Sequence, residues 1–329
     1  MSPVKLRRIS RAMRDTCPVF IVGAPRSGTS MLYRSLLLQK PFQLRNAGMS
    51  PELSETKAFD QIEQFLDLGE SDDRRGLRTF FAGDERNWKA FDKATSKVFV
   101  RRHWLGGRLF SRLYRIARHH GVGEMLIWRL IGFRHLVRAY FHFASKARQV
   151  ERLIEKSPTH ISMMCAMRDT FPNARFLFIH RHPITTFASY HKRLQRKTAL
   201  QAGADDDHHQ WLDIGPSKFA QSWIRQVNLA LADAAAHSDD FRFVSYEDLT
   251  EDPEKSLGEI MDFLDESFER SLLPQDSERE WEDPLLFKAI SRNQNGWEKY
   301  VTAEDAAAVE RATKEQCKRL GYASKTGVF

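Results

Sequence analysis

The chain has 329 residues, 42% hydrophobic and 29% charged, with 51 Lys+Arg against 43 Asp+Glu for a formal net charge of +8. That balance excludes wholesale disorder and leaves ample chain for a buried core. Three cysteines are too few for a disulfide framework or a Cys-rich zinc site. Cys17, Cys165 and Cys317 read instead as buried small apolar residues of a reducing, cytoplasmic protein.

The N-terminal residues lack the apolar run of a signal peptide, and no stretch nears the roughly 20 apolar residues of a spanning helix. Peripheral attachment to a membrane stays open. Residues 18–22 form a continuous apolar run and predict a buried strand, followed by a glycine-rich turn. A helix is expected over 29–39, with Met31, Leu32, Ser35, Leu36 and Leu38 turned inward. Residues 62–150 read as a variable, mostly helical basic insertion in a single domain spanning 1–329, shaping the acceptor site. Polar stretches at 66–87 and 202–216 read as loops over a site.

A short strand is expected to open at 153–154. A second buried strand follows at 175–180 with a helix over 184–194, and a third strand covers 241–245. Leu257, Ile260, Met261 and Leu264 repeat at helical spacing after Asp252-Pro253. Thr302 and Asp305 form a capping-box pattern for a last helix running to Gly321. Apolar strands alternating with helices predict an α/β fold with a doubly wound parallel sheet.

Gly23 and Gly28 stand with four residues between them, between a predicted strand and helix. This spacing lets the backbone curl with successive N–H groups pointing inward, and the following helix adds its positive end. The spacing is that of a Walker loop, but Thr29 stands where a nucleoside triphosphatase needs Lys. Arg26, inside the loop, carries the positive charge. The bland alternative is a turn that uses glycine for shape alone. Downstream, Arg181 ends the 175–180 strand and Ser189 lies eight residues on. An Arg fork and a Ser donor so placed can share one phosphate.

These segments resemble sulfotransferases that use 3′-phosphoadenosine 5′-phosphosulfate (PAPS). Pro25, Arg26, Ser27, Gly28 and Thr29, with Ser30, are similar to the family's 5′-phosphosulfate loop. Arg181, Pro183 and Ser189 are similar to its 3′-phosphate segment, with His182 where the family usually has Asp. Tyr246-Glu-Asp-Leu249 resembles a segment whose Tyr lies near the adenine, although Tyr246 reads equally well as a core residue. The run from Ser291 through Arg292, Gly296 and Trp297 resembles the loop that closes over the nucleotide. The resemblance implies a P-loop-like fold, PAPS as donor, PAP as product and no metal.

Two further segments carry the chemistry in such a reading. Glu55, with Phe59 and Asp60, is similar to a heparan-sulfate-type segment whose Glu is the general base. Lys57 stands where relatives can have a catalytic His, and Glu52 is a rival base. Glu155-Lys156-Ser157-Pro158 resembles the family segment whose Lys offsets charge on the departing phosphate, a role suited to a compact ammonium. His160 is either a further acid/base residue or a structural one. The expected reaction moves the sulfuryl group of PAPS to a hydroxyl or amine of an acceptor that the sequence does not name.

The basic charge has one address. Residues 97–150 hold twelve Lys+Arg and a single acid, Glu124, so the rest of the chain is mildly acidic. Aromatics interleave with those bases. Such a stretch suits an anionic glycan or an anionic membrane surface; it also fits a pair of ordinary helices with aromatics inward. No nucleic-acid-binding motif accompanies the charge. The rival functions are a P-loop kinase and a non-catalytic glycan- or membrane-binding protein with a relic nucleotide fold. His208-His209, after three aspartates, reads as a solvated loop and not a metal site. Oligomeric state is not legible.

Overall fold

The structure is a computed structural model that describes residues 3–43, 138, 141, 142, 145, 150–200, 211–275, 289–291 and 296–328. Its sheet is parallel and four-stranded, in the order β2-β1-β3-β4, with β1 Val19–Gly23, β2 Ile154–Lys156, β3 Arg175–His180 and β4 Phe241–Ser245. The two central strands are buried on both faces: Val19, Phe20, Ile21 and Val22 of β1, and Phe176, Leu177, Phe178 and Ile179 of β3, have no exposure. Burial on both faces is why these strands read as unbroken apolar runs instead of alternating patterns. β3 and β4 pair in register from Phe176 opposite Phe241 to His180 opposite Ser245. The expected α/β class and doubly wound parallel sheet are therefore observed.

The chain divides into two compact units. The first comprises Met1–Phe20 with Pro41–Arg175. It holds helices α1 (Pro3–Arg14) and α3 (Met164–Thr170). The rings of Phe20, Phe141 and Phe171 meet at 5.1–6.0 Å between centroids and form its aromatic centre. Arg138, one of the basic residues of 97–150, is buried here. Its Nε donates to the Thr170 carbonyl at 2.6 Å, closing the C-terminal end of α3. At least this member of the basic stretch serves packing and not a surface. Apart from residues 138, 141, 142, 145 and 150, the predicted 62–150 insertion lies outside the described residues, as do the 66–87 loop and residues 202–210.

The second unit comprises Ile21–Lys40 with Phe176–Phe329. It holds α2 (Thr29–Leu37), α4 (Pro183–Leu200), α5 (Pro216–Ala236), α6 (Tyr246–Glu251), α7 (Pro253–Phe263) and α8 (Ala303–Arg319). α5 packs along α8, and α4 packs on both. Leu32, Ser35 and Leu36 of α2 are buried as expected, Met31 and Leu38 are only half-buried, and Tyr33, Arg34 and Leu37 are buried as well. The helix is covered on more than one side, so the inner face is wider than a single stripe. α4 continues six residues past the expected end. Asp252 caps α7 by accepting the Lys255 N–H at 3.0 Å. Thr302 caps α8 by accepting the Asp305 N–H at 3.1 Å. Gly321 follows the end of α8 at φ 76, the left-handed stop that glycine permits.

One reading from composition needs correction. Only Cys317 is buried; Cys17 is half-buried and Cys165 is exposed. The short α3 turns Met164, Met167 and Thr170 inward, which leaves Cys165 on its outer face. No helix among the described residues is long and apolar enough to cross a membrane.

Candidate active site

The phosphate loop joins β1 to α2 within the second unit. At Gly23 a Cβ would land on the backbone oxygen of Ile179. At Gly28 the backbone takes φ 108, and a Cβ would stand 2.6 Å from Cδ2 of Tyr246. Both glycines are thus required by close approach of neighbouring strand ends, not by chain flexibility. Arg26 takes φ 70, in the left-handed region that side chains seldom adopt. Such conformations persist where the surroundings over-determine them, and they concentrate at ligand clamps.

Ser27 is fully buried, and its hydroxyl donates to the Ile179 carbonyl at 3.0 Å. Its N–H closes the turn on the Ala24 carbonyl at 3.0 Å. Ser27 therefore braces the loop against β3 from behind. Gly28 is the N-cap of α2 and offers no side-chain acceptor, so no side chain of the cap covers the first-turn N–H groups. Thr29 is buried and Ser30 half-buried on that first turn.

Arg26 is exposed, yet its pKa is lowered. Partial desolvation by the packed loop is the larger cause, followed by the like charges of Arg193 and Arg181. Both guanidiniums lie within electrostatic reach of Arg26, and like charges so placed suit an anion standing beside them. Arg181 is buried to 9% exposure. Its guanidinium lies 4.1 Å from the Tyr246 ring centroid, and its Nε donates to Thr185 Oγ1 at 3.1 Å. Ser189 is half-buried on α4, one helical turn before Arg193 and on the same face. Tyr190, between them, has its hydroxyl pushed up to about 12 by burial. Tyr246 opens α6 and wedges between Gly28 and Arg181, so the ring links the loop to the arginine.

Arg193 joins the site only in the structure. Its signal was available: it stands at i+4 from Ser189 on a predicted helix. Glu247 was also passed over. One of its oxygens, Oε1, accepts the His182 N–H at 3.0 Å, and the other, Oε2, accepts the Tyr322 hydroxyl at 3.1 Å. No local pattern announces that pairing.

Trp297 is half-buried at the start of the Trp297–Lys299 turn, which packs on α4. Gly296 precedes it and is exposed. Arg292 and Glu55 lie outside the described residues.

The other candidates belong to the first unit. Lys156 ends β2 and is buried, as are Glu155 and Ser157. Glu155 Oε1 accepts a short hydrogen bond from the Ser157 hydroxyl. His160 is fully buried with Nδ1 3.5 Å from Glu155 Oε2. Adjacent strand residues point to opposite faces, so His160 gathers on the Glu155 side of the strand and Lys156 faces the other way. Among the described residues no group of His, Cys, Asp or Glu gathers as a metal site.

A cavity of about 490 Å³ lies against β4, α6 and α7. Asp248, Glu251, Asp252 and Glu259 line it against Arg242 and Lys255. Its acidic balance is the wrong sign for a nucleotide.

Residues 18–270 match the sulfotransferase family. The chain belongs to that family. The match takes in the phosphate loop, Glu55, Lys156, Arg181, Ser189 and Tyr246, but stops before Gly296 and Trp297. Curated relatives include the omega-hydroxy-beta-dihydromenaquinone-9 sulfotransferases Stf3 of Mycobacterium tuberculosis and Mycobacterium bovis. Each is 30% identical over 146 residues, 43% of this chain. The matched stretch spans only 34% of the length of those relatives. Among solved structures, the sulfotransferase domain of the Synechococcus PCC 7002 olefin synthase is 18% identical with a TM-score of 0.49, covering 94% of this chain and 96% of that one. Sulfotransferase STF9 of Mycobacterium avium is 15% identical with a TM-score of 0.48, covering 97% of this chain and 81% of its own. As a sulfotransferase family member, the chain departs from the kinase reading where its loop already did, at Thr29.

Proposed function

We propose that this protein transfers the sulfuryl group of PAPS to a hydroxyl or amine of an acceptor, releasing PAP. The observation that carries the reading is the junction of Gly28, Tyr246 and Arg181. A glycine loop without a Walker Lys, an aromatic ring and a buried guanidinium meet there. That set suits a nucleotide with phosphates at two ends and a planar base. The loop N–H groups and Arg26 hold the 5′ end, while Arg181, Ser189 and Arg193 hold the 3′-phosphate. Ser27 fixes the loop. Arg292, Gly296 and Trp297 cover the nucleotide.

In the transfer step the acceptor oxygen or nitrogen forms a bond to sulfur as the bond from sulfur to the 5′-phosphate oxygen breaks. Glu55 takes the acceptor's proton, and Lys156 offsets the charge arriving on the departing phosphate. His160, held by Glu155, orients the β2 end. Sulfuryl transfer of this kind asks for no metal. The Stf3 relatives are omega-hydroxy-beta-dihydromenaquinone-9 sulfotransferases, which supports a lipid alcohol as the acceptor class. The basic, aromatic-rich 97–150 stretch would suit it or an anionic glycan.

Transfer from labelled PAPS across a panel of lipid, sugar and phenolic acceptors tests the reaction. Calorimetry with PAP tests the site. Binding of PAP with no Mg²⁺-dependent ATP turnover is expected, and absence of PAP binding at large excess removes the reading. Glu55→Gln should lower turnover by roughly 10²–10⁴ with PAP affinity near normal. Undiminished turnover removes Glu55 from the mechanism.

A further inference from the structure

Arg181 sits between two histidines, and both are held by the extreme C-terminal segment. His180 Nδ1 lies 2.6 Å from the Tyr322 hydroxyl, whose proton goes to Glu247 Oε2 at 3.1 Å. Burial lowers the His180 pKa to about 4, so the ring is neutral and carries its proton on Nδ1, donating to Tyr322. The second oxygen of Glu247 accepts the His182 N–H. The His182 ring is also neutral, lowered to about 4 by burial and then by Lys325. Its Nδ1 accepts the Ile184 N–H at 3.3 Å, so Nε2 carries the proton and faces the Ala323 carbonyl at 3.3 Å.

The segment is itself pinned. Glu310 of α8 is fully buried and accepts from the Ser324 hydroxyl at 3.0 Å. It also accepts from the Lys325 N–H at 2.6 Å, from the Thr326 N–H at 2.9 Å, and from the Thr326 hydroxyl in a short bond. Desolvation works to raise its pKa, but these donors outweigh that and hold it low. A charged carboxylate with four protein donors is a rigid post.

We propose that Tyr322 is a positioning residue for Arg181. Through Glu247 and His180 it fixes the backbone on both sides of Arg181, and Glu247 directly follows the Tyr246 ring on which the Arg181 guanidinium rests. Tyr322 and the Glu310 post lie beyond the family match, which ends at residue 270, whereas His180, His182 and Glu247 lie within it. The inference rests on Arg181 as the ligand of the 3′-phosphate.

Tyr322→Phe keeps the ring and removes the hydroxyl. Binding of PAP and of AMP, which lacks the 3′-phosphate, should be measured by calorimetry for wild type, Tyr322→Phe, Arg181→Met and the double variant. PAP affinity should fall about tenfold in Tyr322→Phe, the worth of one hydrogen bond, with AMP affinity unchanged. In the Arg181→Met background the same change should cost PAP nothing further. KM for PAPS should rise by the same factor with kcat held. Equal losses for PAP and AMP, or additive losses in the double variant, overturn the positioning role while leaving the site intact. If wild type binds no PAP, the site reading itself falls and takes this inference with it. Should Tyr322→Phe fold poorly, Glu247→Gln carries the same pair of measurements.

Discussion

The two regions of the second unit proposed to hold the nucleotide's phosphates are made differently. The loop from Gly23 to Ser30 presents backbone, and its shape comes from glycines that leave room for Ile179 and Tyr246. The Arg181 region presents a side chain, and its aim comes from residues scattered to Thr185, Tyr246, Glu247 and Tyr322. A backbone site fails when one atom is added. A side-chain site fails gradually, as each supporting hydrogen bond is removed. The comparison also explains why the two regions share so few charges. The loop uses oriented N–H groups and one Arg, whereas the strand end needs a guanidinium held rigid.

The largest effect is expected from Gly28→Ala. The new methyl enters a left-handed backbone position against the Tyr246 ring at 2.6 Å, so loop and ring must both shift. PAP affinity should fall by about a hundredfold or more in calorimetry, with stability reduced by roughly 1–3 kcal/mol. Retention of near-normal affinity would show that the loop does not bind through its backbone shape.

Acidification should act next, on the Arg181 side through His180 and His182. His180 and His182 are lowered from 6.5 to about 4 in the folded protein. The unfolded chain therefore binds more protons between those values. Stability from the two neutral rings is full above about pH 6.5 and is lost as pH falls toward 4. The loss is on the order of a few kcal/mol in total. Calorimetric melting from pH 7 to 4.5 should show a falling Tm, and His180→Leu should flatten part of the slope. A slope untouched by that change would mean that His180 titrates normally.

The smallest effect belongs to the brace that joins the two regions. Ser27→Ala leaves the Ile179 carbonyl without its hydroxyl donor. Stability should drop by about 1 kcal/mol in denaturant melts. PAP affinity should change less than about threefold. A larger loss would move Ser27 from the brace to direct phosphate contact.

Much of the site was legible because its residues are close in sequence to one another. The glycine spacing, the strand before it and the helix after it all fall within residues 18–39, and the structure has them as read. Arg181 and Ser189 are likewise close in sequence, and their proposed partnership is a reading of that local spacing. Arg193 was visible in principle, at helical spacing from Ser189, but a basic residue on a helix carries no signal until its neighbours are known. Cys317 is buried as composition suggests, but Cys17 and Cys165 are not, because composition speaks of averages while the exposure of Cys165 depends on which face of one short helix turns inward.

The sequence by itself determined the fold class, the order of elements and the local shape of the phosphate loop. Each follows from periodicity, capping residues and glycine placement over short stretches of chain. Only the tertiary structure decided that Tyr246 lies between Gly28 and Arg181, that Ser27 points backward to Ile179, and that Tyr322 reaches the strand end beside Arg181. Those contacts join residues far apart in the chain. Their partners are selected by how helices and strands pack, and no short-range pattern encodes that choice.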